Sequence, residues 1–129
     1  MSRHVRNLLT LKGDYQTLNK FKIENSNNVN LSFNELLPMP YRYKYLLTRI
    51  YTWRLNNWGT ILDAYEVLNL NLNLNLNLNL NNELKYSFST AYNAPTKWLR
   101  KASREYPSLS FYLSFNQNDK EYSISYTTL

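Results

Sequence analysis

The spacing of hydrophobic residues predicts that strands and helices alternate along this chain. Apolar residues at every second position indicate strands, and those at every third or fourth position indicate helices. On this basis the predicted strands cover residues 3–11, 61–68, 84–92, 109–115 and 122–126. The first predicted helix has Asp14 as its N-cap and places Leu18 and Phe21 on its buried side.

Two further helices follow from the same pattern. The longest spans residues 41–57, and its apolar stripe, which we expect to face the core, contains Tyr43, Leu46, Leu47, Ile50 and Trp53. Gly59 stands where a helix stop is expected. Asn93 is the predicted N-cap of the shorter helix, whose expected buried face consists of Trp98, Leu99, Ala102 and Tyr106.

The resulting order is strand, helix, helix, strand, strand, helix, strand, strand. A sheet covered by helices on one face accommodates such an order. We therefore predict an α+β fold, a ferredoxin-like βαββαβ variant with an inserted helix, an extra C-terminal strand and an extended Leu/Asn hairpin. The length of 129 residues fits a single domain, residues 1–129.

Composition draws attention to one low-complexity tract, residues 69–82. Leucine and asparagine supply 23 and 20 of the 129 residues, and in this tract they alternate strictly. A strand would place every leucine on one face, so we predict a long β-hairpin arm with its turn within residues 73–82. The leucine face would be buried against the domain or against a second copy, which would give a homodimer through this strand. Expansion of a DNA repeat is the alternative origin.

The residue inventory excludes several kinds of chemistry. The absence of cysteine excludes disulfide scaffolds and cysteine zinc sites, and two glycines cannot build a phosphate-binding loop. His4 is the single histidine, and Asp63 and Glu66 would face opposite sides of a strand. We therefore expect no enzyme, no metal and no cofactor. No apolar run is long enough to span a bilayer or to form a signal-peptide core, which predicts a protein in the host cytoplasm.

Positive charge concentrates in the short helix that follows Asn93. The chain carries a net charge of +6. Four cations of this helix fall within an arc of about 100°, opposite its apolar face: Lys97, Arg100, Lys101 and Arg104. Such a face can contact phosphates or an acidic protein surface. The alternative is the solvated side of an ordinary amphipathic helix.

Residues 41–58 mix basic and aromatic side chains and contain no acid. Such a mixture can stack bases and neutralise phosphates. On a continuous helix Arg42 and Arg49 share a face, whereas Lys44 and Arg54 point elsewhere. We retain Arg42 and Arg49 as candidate contacts with nucleic acid or a protein partner. The alternative is that the aromatics build the core and the cations extend past it to solvent.

Several short motifs resemble those of a known family. They are HVRN (residues 4–7), FNELLPMP (33–40), NWGT (57–60), FSTAY (88–92) and YPSLSF (106–111). In this order they are similar to the YubB-type ferredoxin-like family of phage and plasmid proteins. The resemblance implies a ferredoxin-like fold and a gene carried by mobile elements, and it implies no catalytic residues. It does not cover residues 69–82.

Two classes of function are compatible with these features. The first is a non-enzymatic phage or plasmid interaction protein, a counter-defence inhibitor such as an anti-CRISPR, that binds a host protein or a nucleoprotein complex. The second is a direct nucleic-acid binder that places Lys97, Arg100, Lys101 and Arg104 on phosphates. An enzyme is the third and weakest reading, because no nucleophile has an adjacent base. We expect no membrane partner.

Overall fold

Within residues 4–27, 30–69 and 82–127, which the computed structural model describes, the chain forms a five-stranded sheet, a two-stranded hairpin and four α-helices. The elements in chain order are β1 (His4–Gly13), α1 (Tyr15–Glu24), β2 (Ser26–Asn27), β3 (Asn30–Leu31), α2 (Phe33–Leu36), a 3-10 turn (Tyr41–Tyr43), α3 (Leu47–Asn57), β4 (Tyr65–Asn69), β5 (Asn82–Ala91), α4 (Thr96–Glu105), β6 (Ser110–Gln117) and β7 (Lys120–Tyr126). The predicted α+β class is confirmed.

The large sheet has the strand order β4-β5-β1-β6-β7, and all neighbours are antiparallel. β1 is central and pairs with β5 along its whole length, from His4 with Ala91 to Gly13 with Asn82. β5 and β6 therefore run in the same direction on either side of β1. α4 connects these two strands, as a crossover between parallel strands requires.

The core lies between one face of the sheet and helices α1 and α4. Every second residue of β1 points into it, and Val5, Leu9 and Leu11 are fully buried. The Phe21 ring of α1 lies at the centre of the core, 5.0–6.5 Å from the rings of Tyr86, Trp98, Tyr106 and Phe111. The opposite face of the sheet is polar and carries side chains such as Arg6 and Lys12 of β1.

Several predicted details are confirmed. The Asp14 side chain accepts a hydrogen bond from the Thr17 N–H at 2.9 Å, as an N-cap does. Leu18 and Phe21 of α1 are buried, and so are all four predicted core residues of the shorter helix: Trp98, Leu99, Ala102 and Tyr106. Gly59 has a φ of 89°, the left-handed conformation that ends helices.

The predicted helix over residues 41–57 is wrong in its first half and in part of its inward stripe, since Leu46 and Leu47 are exposed whereas Trp53 packs against the core. Tyr41–Tyr43 forms a 3-10 turn, closed by hydrogen bonds from Tyr43 to Pro40 and from Leu46 to Tyr43. α3 begins only at Leu47 and contains no buried residue. The reason is that α1, α4, Phe33 and Trp58 already cover the sheet, so α3 packs on the outside of this layer and contacts it through Trp53, whose ring lies 5.7 Å from that of Trp58.

Three boundaries also differ from the predictions. β4 begins at Tyr65 rather than at residue 61, and a bulge interrupts its pairing before Leu68. Tyr92 does not continue β5, because its φ of 65° turns the chain away from the sheet. Asn93 does not cap α4, which has Pro95 at the N-cap; the Asn93 carbonyl instead accepts a hydrogen bond from Thr90 Oγ1 at 2.7 Å.

The predicted Leu/Asn hairpin arm, and any homodimer through it, concerns residues 70–81, which lie outside the described residues. The strands on either side of this segment are paired, with Asn69 opposite Tyr86. None of the described helices has the length and apolar character that crossing a membrane requires.

Candidate interaction surface

The four predicted cations of α4 form one exposed face. Lys97, Arg100, Lys101 and Arg104 are all exposed, opposite the buried Trp98 and Leu99 of the same helix. Lys101 Nζ forms an ion pair with Glu105 Oε1 at 2.8 Å. Among the described residues, the other three cations have no carboxylate within 4.0 Å. We call these four residues the cationic face.

The charge of the whole chain is distributed unevenly between segments. Residues 36–62 and 93–104 contain eight of the 15 Lys and Arg residues and none of the nine acids, so the rest of the chain carries seven cations against nine acids. The two segments are in contact in the structure. The backbone N–H of Trp98 donates a hydrogen bond to the backbone carbonyl of Trp58 at 3.1 Å. The positive excess of the protein therefore lies in two adjoining segments.

Glycine at position 59 permits this close approach. Its φ of 89° is unfavourable for other residues. A Cβ at this position would lie only 3.1 Å from the Thr96 nitrogen and 3.2 Å from the Lys97 nitrogen. Gly59 thus lets the end of α3 rest directly on the start of α4, where the cationic face begins.

Helix α3 presents an apolar stripe to solvent. Leu47, Tyr51 and Leu55 follow one another at intervals of four residues, and 61%, 37% and 42% of their surfaces are exposed. We call these three residues the α3 stripe. The sequence analysis missed it because it assigned Leu47 to the core, although the lack of acids from residue 36 to 62 was visible in the sequence.

A shallow groove joins the α3 stripe to the cationic face. Leu55 and Lys97 both line this groove, which has a volume of about 260 Å³ and has Gly59 and Phe115 among its other walls. The last residue of the stripe and the first residue of the cationic face therefore border the same depression. Together they form one continuous surface of apolar and positive groups.

The predicted pair Arg42 and Arg49 does not share a helix face. Arg42 lies in the 3-10 turn, where its guanidinium carbon is 5.1 Å from the centre of the Tyr43 ring. Arg49 lies in α3 and lines a groove of about 250 Å³ with Tyr43 and Trp53. The two arginines are thus brought near the same tyrosine from different elements, and that tyrosine lines a groove that none of the three residues of the α3 stripe borders.

Asp63 has a structural role that the local pattern did not indicate. Its carboxylate oxygens accept hydrogen bonds from four donors at 2.7–3.3 Å: Ser32 Oγ and the N–H groups of Phe33, Asn34 and Ala64. The carboxylate thus stabilises the start of α2 from a distance of 30 residues in the chain. With its lone pairs occupied, it has no acceptor site left for a substrate proton.

The remaining predicted polar residues form no catalytic cluster. The imidazole Nδ1 of His4 is hydrogen-bonded to the Tyr65 hydroxyl. Burial raises the pKa of this tyrosine above its ordinary value, and the nearby Glu66 adds to the effect. In the described ranges, no group of three His, Asp or Glu side chains is placed to hold a metal ion.

Comparisons with known proteins assign no family to the chain. No family model matches it, and neither a curated protein nor a solved structure is significantly similar to it. The resemblance to the YubB-type family stays a prediction. The functional argument therefore rests on the geometry of the α3 stripe and the cationic face.

Proposed function

We propose that this chain is a non-enzymatic interaction protein that docks the α3 stripe and the cationic face on an acidic host protein or nucleoprotein complex. The observation that carries this proposal is the exposed stripe of Leu47, Tyr51 and Leu55 on a helix with no buried residue. α3 contacts the core through the partly buried Trp53, whereas the three residues of the α3 stripe are exposed. The side chains of the stripe are therefore available to a partner.

The chemistry of the surface defines the partner. An exposed helix with apolar residues one turn apart fits an apolar groove, the helix-in-groove mode of recognition. Tyr51 of the α3 stripe and Arg100 and Arg104 of the cationic face belong to the residue types that dominate binding energy in protein interfaces. Since residues 36–62 contain cations but no acids, complementarity requires a groove with an acidic rim.

The biological setting follows from the fold and the sequence motifs. The order β1-α1-β4-β5-α4-β6 supports a ferredoxin-like βαββαβ variant, in which α2 and α3 are inserted and β7 is added. The motif resemblance to phage and plasmid proteins supports a host target that belongs to a defence system. We therefore propose a counter-defence inhibitor of the anti-CRISPR type. It would act by occupying the binding surface of its target rather than by catalysis.

Capture of the host partner by matched variants tests this proposal. The tagged protein is compared with a stripe variant, Tyr51→Asp, and with Tyr112→Asp as a control that makes the same change of charge. Tyr112 and Tyr51 are equally exposed, at 37%, but Tyr112 lies in β6, on the sheet face opposite the helices. We expect a stoichiometric host protein with the unmodified chain and with the control, and its loss with the stripe variant.

Two outcomes would contradict the proposal. One is a partner that the stripe variant retains as well as the control does. The other is the absence of a stoichiometric partner in lysates of a susceptible host. Thermal unfolding of each variant shows that the fold is intact, so a loss of binding is not confused with a loss of structure.

Direct binding of nucleic acid is the second candidate function. It is favoured by Lys97, Arg100 and Arg104, which are exposed on one helix face and have no carboxylate within ion-pair distance in the described chain. Phosphate contacts by such side chains give an affinity that falls steeply as salt rises. Tyr41 and Tyr45, which are more than three-quarters exposed, could stack on bases.

A further inference from the structure

The structure contains a second candidate site, a surface cavity of about 640 Å³ that borders the C-terminal half of α3. Its polar walls are His4, Arg54, Asp63 and Tyr65, and Leu62, Ala91 and Tyr92 complete it. Its volume lies in the range of small-molecule sites, about 300–1,000 Å³. We propose that this cavity binds a nucleoside monophosphate, with the phosphate on Arg54 and the base on the aromatic wall.

Arg54 is the group in the cavity that can bind an anion. Asp63 also lines the cavity and balances the charge of Arg54, but its carboxylate is engaged by four hydrogen-bond donors of the protein. Arg54 is held in place by a hydrogen bond from Nη1 to the Ile61 carbonyl at 3.2 Å, and its guanidinium carbon lies 5.2 Å from the centre of the Trp58 ring. A guanidinium has five N–H donors in a rigid fork. Because Nε is buried and Nη1 already makes one bond, the remaining donors of the two terminal nitrogens of Arg54 are those that a phosphate would use.

The walls of the cavity favour a planar ring. Tyr65 and Tyr92 supply aromatic surfaces, and Leu62 and Ala91 supply aliphatic ones. The Tyr65 ring is fixed because its hydroxyl is hydrogen-bonded to His4. Tyrosine rings stack on any of the bases, since each base has a π-face.

The backbone at Tyr92 is a third, independent feature. Its φ of 65° is a conformation that bulky residues rarely adopt. The Gln117 side-chain amide holds it by donating to the Tyr92 carbonyl at 3.1 Å. The turn leaves the tyrosine 50% exposed at the cavity. Strained residues of this kind persist where the surrounding structure supports them and cluster at ligand sites.

Titration with three compounds tests the chemical class of the ligand. Adenosine monophosphate, adenosine and inorganic phosphate are added to the full chain at constant ionic strength, and binding is followed by calorimetry and by amide chemical shifts. We expect the nucleotide to bind at least tenfold more tightly than either fragment, with shifts at His4, Tyr65 and Tyr92. Equal affinity for nucleotide and phosphate, or the absence of nucleotide binding, would overturn the proposal.

Matched variants locate the site. Arg54→Gln removes the charge, and Tyr92→Gly removes the ring while relieving the strained φ, so the second variant folds even if the first does not. We expect each to weaken nucleotide binding at least tenfold, and Lys20→Gln, an equal loss of charge on the exposed side of α1, to leave it unchanged. A loss with Lys20→Gln but not with Tyr92→Gly would refute the cavity. This site does not depend on the proposed partner interface.

Discussion

Tyr106 shows how one buried polar group ties the helices together. It lies directly after α4 and is only 7% exposed. Its hydroxyl donates to Glu24 Oε1 at 2.5 Å and accepts a hydrogen bond from Asn25 Nδ2 at 2.9 Å. Burial, together with the hydrogen bond to Glu24, raises the pKa of the Tyr106 phenol to about 12. The residue thus links the end of α4 to the end of α1, and the hydrogen bond that it donates to Glu24 exists only while the phenol is protonated.

This pKa predicts a loss of stability in alkaline solution. The ordinary value is 10.0 and the value in the folded chain is about 12. A raised pKa means that the stabilisation is complete below pH 10 and is lost as pH rises through 12. We expect the free energy of unfolding, measured with urea, to fall across this interval and to fall less steeply in Tyr106→Phe. Some slope remains because burial also raises the pKa of Tyr86. An unchanged slope would refute the role of Tyr106.

At the scale of elements, α3 and α4 contribute unequally to the fold. The apolar side of α4 is in the core, whereas α3 contains no buried residue. One leucine in each helix therefore provides a direct comparison. Leu99 is fully buried, and 61% of Leu47 is exposed.

Truncation of these two leucines should have different effects on stability. We expect Leu99→Ala to lower the free energy of unfolding by about 2–5 kcal/mol, because it removes buried methyl groups and leaves a cavity. Leu47→Ala should change it by less than about 0.5 kcal/mol, as surface substitutions do. Urea unfolding of both variants measures the difference. Comparable losses would show that α3 is part of the core, which would remove the basis for a free α3 stripe.

The buried faces of α1 and α4 were predictable from local sequence patterns, whereas contacts between residues far apart in the chain were not. Leu18 and Trp98 were predicted to be buried because their helices have a clear apolar face, and they are. The same pattern in α3 holds for Trp53 but not for Leu47, since periodicity shows that a helix has an apolar side but not how much of it the core can cover. Asp63 binds α2 from 30 residues away, a contact that no local spacing encodes. The cationic face was predictable, because it needs only helical geometry and charge.

At the scale of the whole molecule, charge is separated into a basic region and a nearly balanced remainder. Residues 36–62 and 93–104 carry eight cations and no acid, while seven cations and nine acids lie elsewhere. An overall charge of +6 would attract polyanions weakly at any surface. A specific site can be distinguished from this background. If binding is specific, equal changes of charge at different positions change the affinity by different amounts.

A pair of charge reversals distinguishes specific binding by the cationic face from non-specific attraction by the net charge. Arg100→Glu acts on the cationic face, and Lys20→Glu makes the same change of net charge on the exposed side of α1. If the cationic face binds nucleic acid, only Arg100→Glu reduces the dependence of affinity on salt, by about one unit of slope for each lost phosphate contact. Equal reductions in both variants would indicate non-specific attraction, and binding that is insensitive to salt would exclude this function.

The most direct test of the α3 stripe as the docking surface is amide hydrogen exchange with and without the captured host partner. Free α3 should exchange faster than α1 and α4, because a helix without buried side chains opens at low cost. On binding, the account predicts slower exchange along residues 47–57 and at the start of α4, with β6 and β7 unchanged. Protection confined to β6 and β7, or unchanged exchange in α3, would contradict it.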